Sequence, residues 1–77
     1  MKALMSMWTI YRSPSDYPGQ YVARRWEIVP GLTEPQPTQD VRIAPDREEL
    51  DEHFRDQGLH FLERSASDEP QIVGVYL

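Results

Sequence analysis

Two stretches near the start of the chain mix hydrophobic and polar residues in the manner of β-strands. Residues 7–12 and 21–29 are rich in aromatic and β-branched side chains, with polar residues between them. A period of two along such a stretch is typical of strands that bury one face. The intervening residues 13–20 contain two prolines and a glycine, which favour a loop. The pattern therefore predicts an antiparallel β-hairpin.

The period changes after residue 45. Leu50 and Phe54 lie four residues apart, which predicts one apolar stripe along a helix. Asp46 and Glu49 have the spacing of a capping box, in which side chains satisfy free backbone N–H groups at the helix start. Gly58 favours the left-handed conformation that ends many helices. These features predict a helix over residues 47–57.

The other segments carry weaker signals. Residues 30–40 hold three prolines and few apolar residues, which predicts an irregular connector. Residues 41–44 are interpreted as a short edge strand. Residues 59–64 and 71–77 favour two further strands, joined by a polar turn at 65–70.

The element order β-β-(β)-α-β-β predicts one small α+β domain spanning residues 1–77, with residues 1–6 expected to be disordered. Because one helix covers only one face of a sheet, we predict a small two-layer antiparallel sheet with a covered face and an open face. Alternation along the strands assigns the following residues to the covered face: Trp8, Ile10, Val22, Trp26, Ile28, Leu50, Phe54, Val73, Val75 and Leu77. The residues assigned to the open face are Thr9, Tyr11, Tyr21, Arg25, Glu27 and Tyr76.

Tyrosine and arginine dominate the predicted open face, and Tyr11, Tyr21, Arg25 and Tyr76 are the candidate binding residues. Aromatic residues and arginine are enriched at protein interfaces, so the expected partner is another protein or a second copy of the chain. The same composition occurs on sheets that bind single-stranded nucleic acid, which is the alternative. The net charge of -5 disfavours that alternative, because phosphate binding needs positive charge.

The sequence gives no support for a catalytic, metal or cofactor site. The chain has no cysteine, and its two histidines, His53 and His60, lack the spacing of a known ligand pair. Its serines lack the sequence context of a nucleophile, and no glycine-rich loop could hold a phosphate-bearing cofactor. No apolar run is long enough to span a bilayer. We therefore expect a cytoplasmic, non-enzymatic protein.

The predicted helix region is strongly acidic. Residues 46–56 hold six acidic residues and two arginines. A solvated helix face accounts for such a run in most proteins. A second alternative function follows from the same run, namely an acidic inhibitor that imitates nucleic-acid phosphates and blocks a basic host protein.

Both ends of the chain carry a motif. The positions are Trp8, Thr9, Ile10, Tyr11, Pro14, Asp16, Tyr17 and Pro18, then Asp68, Pro70 and Ile72. They resemble a group of small bacterial and phage-borne proteins that share W-T-[IV]-Y-x-x-P-x-D-[YF]-P near the start and D-x-P-x-I near the end. The resemblance covers both ends of the chain but not the middle. The group is uncharacterised, so the resemblance implies a compact soluble domain and assigns no functional residue.

Overall fold

A computed structural model describes residues 5–63 and 70–77 of the chain. These residues form β1 (Met5–Arg12), β2 (Tyr21–Ile28), β3 (Gln36–Ala44), α1 (Arg47–Asp56), β4 (Phe61–Glu63) and β5 (Ile72–Tyr76). All strand pairs are antiparallel, and the strands form one sheet in the order β3-β2-β1-β5-β4. The helix packs on one face of this sheet, which confirms the predicted α+β fold class.

The register between β1 and β2 decides which side chains share a face. Ile10 lies opposite Ala23, and Trp8 lies opposite Arg25. Residues that lie opposite each other in an antiparallel pair point to the same side of the sheet. Even-numbered residues of β1 therefore share a face with odd-numbered residues of β2.

This register corrects the predicted faces. The residues that were assigned to the covered face but lie on the side opposite α1 are Val22, Trp26, Ile28 and Val75. The predicted faces place β2, and Val75 of β5, one residue out of step with β1, and a slip of one residue moves a strand's side chains to the other face.

The core lies between α1 and the sheet. Leu50 and Phe54 of α1 are both buried, and they pack above the small residues Ala23 and Ala44. The Phe54 ring lies 5.1 Å from the rings of Trp8 and Tyr76, measured between centroids. Small residues on the sheet leave room for these large side chains, so the layers approach closely.

Both ends of α1 follow the predicted chemistry. The Asp46 carboxylate accepts a hydrogen bond from the Glu49 backbone N–H at 3.0 Å. At the other end, the backbone N–H groups of Gly58 and Leu59 donate to the carbonyls of Arg55 and Phe54, which is the Schellman arrangement. Gly58 has a φ of 79°, as that arrangement requires. Within the described ranges, no helix is long and apolar enough to cross a membrane.

Strand β3 is much longer than predicted. It begins at Gln36, inside the segment 30–40 that was predicted to be an irregular connector. The prolines were a misleading signal, because β3 is an edge strand and an edge strand tolerates a residue without an N–H group. Pro37 lies opposite Trp26, and the register shifts between Arg24 and Trp26. The Thr38 hydroxyl donates to the Arg25 carbonyl at 2.8 Å beside this shift.

Two other predictions fall partly outside the described residues. Met5 and Ser6 belong to β1, which corrects the expected disorder of residues 1–6 at those two positions, and residues 1–4 lie outside the described residues. The polar turn predicted at 65–70 falls mostly on residues 64–69, which also lie outside them.

Gly74 of β5 is required by the close approach of β4. A Cβ atom at this position would lie 2.5 Å from the backbone oxygen of Leu62 and as close to the Phe61 ring. Real Cβ atoms do not approach a backbone oxygen this closely, so a side chain here would separate β4 from β5. The Phe61 ring covers the glycine and packs against Tyr76, with 5.1 Å between the ring centroids.

We expect Gly74→Ala to lower the free energy of unfolding by about 3 kcal/mol or more, because the backbone of β4 must move to accept the methyl group. Gly19→Ala is the control. Gly19 has a φ of 79° and open space around it, so its replacement should cost only about 1 kcal/mol of backbone strain. Urea unfolding followed by circular dichroism measures both. An equal loss for the two variants would contradict the close packing of β4 on β5.

Candidate interaction surface

One whole face of the sheet carries no helix among the described residues. We call this side, opposite α1, the uncovered face. The strand registers place these residues on it: Met5, Met7, Thr9, Tyr11, Val22, Arg24, Trp26, Ile28, Val41, Ile43, Leu62, Ile72 and Val75. All but two of these residues are apolar or aromatic, so the uncovered face resembles a core surface more than a solvated one.

Most of the exposed large hydrophobic residues lie on the uncovered face. Among the described residues, Met5, Leu32, Ile43 and Leu62 have side chains of this kind. Three of the four belong to strands, and all three point to the uncovered face. Leu62 is 53% exposed and Ile43 is 42% exposed. Exposed apolar residues that gather on one side of a fold mark an interaction site more often than evenly scattered ones do.

Loops border the uncovered face at two places. Near one end, Asp16 in the loop after β1 accepts a hydrogen bond from the Arg24 guanidinium at 2.8 Å. Pro14 of the same loop is buried, and Val22 is fully buried although it lies on the side opposite α1. Near Trp26, the segment after β2 brings Glu34 and Pro35 to the sheet.

Between these borders lies a shallow groove of about 510 Å³. It is lined by residues of β1, β2 and β5, which include Met7, Tyr11, Trp26, Ile72 and Val75. The β1–β5 register shifts between Ile10 and Tyr11, so the sheet is irregular where the groove is lined by Tyr11 and Ile72. Aromatic and flexible apolar side chains around an open groove can take up the apolar side chains of a binding partner.

The prediction that Tyr11, Tyr21, Arg25 and Tyr76 share one open face was wrong. Tyr11 lies on the uncovered face and lines the groove. The other three point to the helix side, because they lie opposite Arg12, Trp8 and Trp8 respectively in the strand registers. Tyr21 packs against the core, and Tyr76 is part of it.

Arg25 is occupied by contacts within the sheet. Its Nε donates to Asp40 at 2.6 Å, and one terminal nitrogen donates to the Ser6 hydroxyl at 3.0 Å. Glu27 lies 3.8 Å from the same guanidinium. Because two carboxylates surround it, Arg25 does not present an uncompensated positive charge to a phosphate group.

Tyr76 ties the sheet to the helix. Its hydroxyl donates to the Asp51 carboxylate at 2.5 Å, and the other oxygen of that carboxylate lies 3.2 Å from Nε of Arg47. Burial of the ring and this hydrogen bond raise the pKa of Tyr76 to about 12, from an ordinary value of 10.0. Arg47 also stacks over the Phe61 ring, 4.8 Å from its centroid. The hydroxyl therefore has a structural partner and does not face solvent.

The histidines do not come together in the structure. The His53 ring packs edge-on against Phe54, with 5.1 Å between centroids, and its Nε2 lies 3.0 Å from the Gln57 amide. The backbone of His60 pairs with that of Leu77. In the described part of the chain, no three acidic or histidine side chains are placed so that they could hold a metal ion.

Sequence reasoning missed Trp26, Ile43, Leu62 and Val75 as surface residues. One signal could have placed Trp26. A helix that packs closely on a sheet needs small residues beneath it, and Ala23 supplies such a residue at an odd position of β2. Reading Ala23 as the residue beneath α1 would have turned Trp26 to the other face.

Comparisons with protein-family models, curated proteins and solved structures found no match to this chain. The resemblance of the two end motifs to small bacterial and phage-borne proteins therefore stays a prediction. The surface has to be interpreted from its own residues.

We expect Tyr76→Phe to change how stability depends on alkaline pH. A raised pKa means that the folded protein holds the phenolic proton more tightly than the unfolded chain does. The stability that this difference gives the folded protein is fully present below pH 10 and is lost as the pH rises from about 10 to about 12. At neutral pH, we expect Tyr76→Phe to lower the free energy of unfolding by about 1–2 kcal/mol. At alkaline pH, the stability of the variant should fall less steeply, because it has no phenolic proton at this position to lose.

Urea unfolding at a series of pH values between neutral and alkaline measures the effect. Tyr21→Phe is the matched control, because Tyr21 lies on the same side of the sheet and packs against the core. An alkaline decline as steep in Tyr76→Phe as in the unaltered protein would contradict the assigned role of the Tyr76 hydroxyl.

Proposed function

We propose that this protein is a non-enzymatic interaction domain that binds another protein chain through the uncovered face. The observation that carries the proposal is the placement of the exposed apolar strand residues. Met5, Ile43 and Leu62 all point to the same side of the sheet, and that side has no helix among the described residues. Removing such residues from water is the main driving force of protein association.

The groove supplies the anchor of the proposed interface. Tyr11 and Trp26 are of the residue type that contributes most binding free energy when buried against a partner. They stand beside Met7, whose flexible side chain adapts to irregular surfaces. Arg24, the charged strand residue of this face, is already paired with Asp16. A partner that covers the face therefore need not leave an unpaired arginine buried.

The contacts of the titratable groups give catalysis no support. Nucleophilic catalysis, for example, needs a nucleophile, a base and a group that orients the base, all within hydrogen-bonding reach. Here the Tyr76–Asp51–Arg47 chain runs between the sheet and the helix and supports the packing of α1. The His53 ring is engaged with Phe54 and Gln57 of its own helix.

The first alternative, binding of single-stranded nucleic acid, no longer has its main support. Its basis was a joint tyrosine–arginine surface, and Tyr21, Arg25 and Tyr76 lie on the helix side. The acidic-inhibitor alternative keeps one favourable observation, because Glu48, Glu49, Glu52 and Asp56 are exposed on α1. Capping and the helix dipole account for the acids of the first turn, so we rank this function second.

The test is a pull-down from host-cell lysate with the tagged chain, and the variants are Ile43→Lys and Leu62→Lys. Both positions are largely exposed, so a lysine should leave folding intact while placing a charge in the interface. We expect each variant to lose most of the bound protein, and nuclease treatment to leave the bound protein unchanged.

Gln57→Lys is the matched control. It adds the same charge at an exposed position at the end of α1, where a positive charge suits the helix dipole. Binding that survives both face variants would contradict the proposal. Binding that is lost on changing Glu48 or Glu52 to lysine would support the acidic inhibitor, and bound material that nuclease removes would support nucleic acid.

A further inference from the structure

The edges of the sheet are poorly suited to association by strand addition. Adding a strand requires a long, regular row of free backbone N–H and C=O groups. The two edge strands are β3 and β4. In the described part of the chain, strand β4 spans three residues, whereas β3 contains Pro37 and a register irregularity at its middle. An association of this protein is therefore expected to use the uncovered face and not an edge.

The area of the uncovered face can be compared with the area that a dimer interface needs. The five strands contain 8, 8, 9, 3 and 5 residues. With about 3.3 Å per residue and about 4.8 Å between strands, the face covers roughly 500 Å². Two copies together would bury roughly 1,000 Å², which is at the lower limit for a specific interface. A dimer of low affinity fits this area.

The charges are compatible with a second copy as the partner. Arg24 and Asp16 neutralise each other at the border of the face, so the face itself carries little net charge. The exposed acids Glu48, Glu49, Glu52 and Asp56 lie on α1, in the opposite layer. In a face-to-face dimer the two helices would be roughly 30 Å apart, because layers pack about 10 Å from one another. This separation is several times the screening length of about 8 Å at physiological salt, so the acids would repel only weakly.

The small core gives the association a stabilising role. The buried cluster contains six residues, two of which are alanines, and the chain has no cysteine for a disulfide. Domains of this size commonly gain stability by oligomerisation. Association would bury Trp26, Tyr11 and the exposed residues Ile43 and Leu62, turning one side of a two-layer fold into a second core.

We infer that the partner of the uncovered face is a second copy of the same chain, and that two sheets stack face to face into a four-layer helix–sheet–sheet–helix dimer. This inference rests on the proposed interaction function and names its partner. The middle strand of the sheet is β1. A two-fold axis through the middle of the face therefore brings Met7 of one copy close to Met7 of the other.

Sedimentation equilibrium of the full chain tests the inference. The concentrations should run from about 1 μM to about 1 mM, which brackets the affinity expected of an interface this small. The mass should rise from 9.0 kDa to twice that value. Ile43→Lys and Leu62→Lys should each weaken the dimer at least tenfold, while Gln57→Lys should leave it unchanged.

A cysteine variant tests whether the uncovered faces of the two copies meet at the interface. Because the chain has no cysteine, Met7→Cys introduces a single thiol into the middle of the face. Mild oxidation should link two Met7→Cys chains by a disulfide at protein concentrations where the dimer forms. Gln57→Cys, on the helix layer, should not link.

Each remaining outcome overturns the inference in a distinguishable way. A mass of 9.0 kDa at every concentration excludes the second copy as partner. If the pull-down is then still sensitive to Ile43→Lys, the interaction function stands with a different protein as partner, and if it is not, both proposals fall. A dimer that resists the face variants and links through Gln57→Cys associates by another surface.

Discussion

The pairing of Ile10 with Ala23 is the constraint on which the rest of the structure depends. It turns Trp8 toward α1 and Trp26 away from it, so the two tryptophans lie on opposite faces. It also places Ala23 beneath Leu50 and Phe54, where a larger residue would hold the helix off the sheet. A slip of one residue would exchange the faces of β2, put Trp26 beneath the helix and expose the alanine.

The two faces differ in how far their side chains are packed and hydrogen-bonded within the fold. On the helix side, aromatic rings pack around Phe54, and the polar groups find partners in Asp51, Asp40 and Ser6. On the uncovered face, Met5, Ile43 and Leu62 remain exposed to solvent, whereas Val22 is fully buried. The side chains that could bind a partner are therefore the ones that the fold does not use for itself.

Much of the fold could be predicted from the sequence because its signals are local. Asp46 and Gly58 mark the ends of α1 through contacts with their near neighbours. The register of β1 and β2 is not local, since an eight-residue loop between them does not fix the pairing as a two-residue turn would. The candidate site depends on that register and on the register between β1 and β5, which is why Tyr21, Arg25 and Tyr76 lie on the helix side. The extent of β3 was missed because its prolines indicate a loop unless the strand is known to be at an edge.

Nuclear Overhauser contacts of the two tryptophan rings report which face of the sheet each ring occupies. In a dilute sample of the labelled protein, we expect contacts of the Trp8 ring with Phe54, whose ring centroid lies 5.1 Å away. We also expect contacts of the Trp26 ring with Met7, its neighbour across the β1–β2 pair, and none with Phe54. Contacts between Trp26 and Phe54 or Leu50 would place Trp26 beneath the helix and would contradict both the register and the uncovered face derived from it.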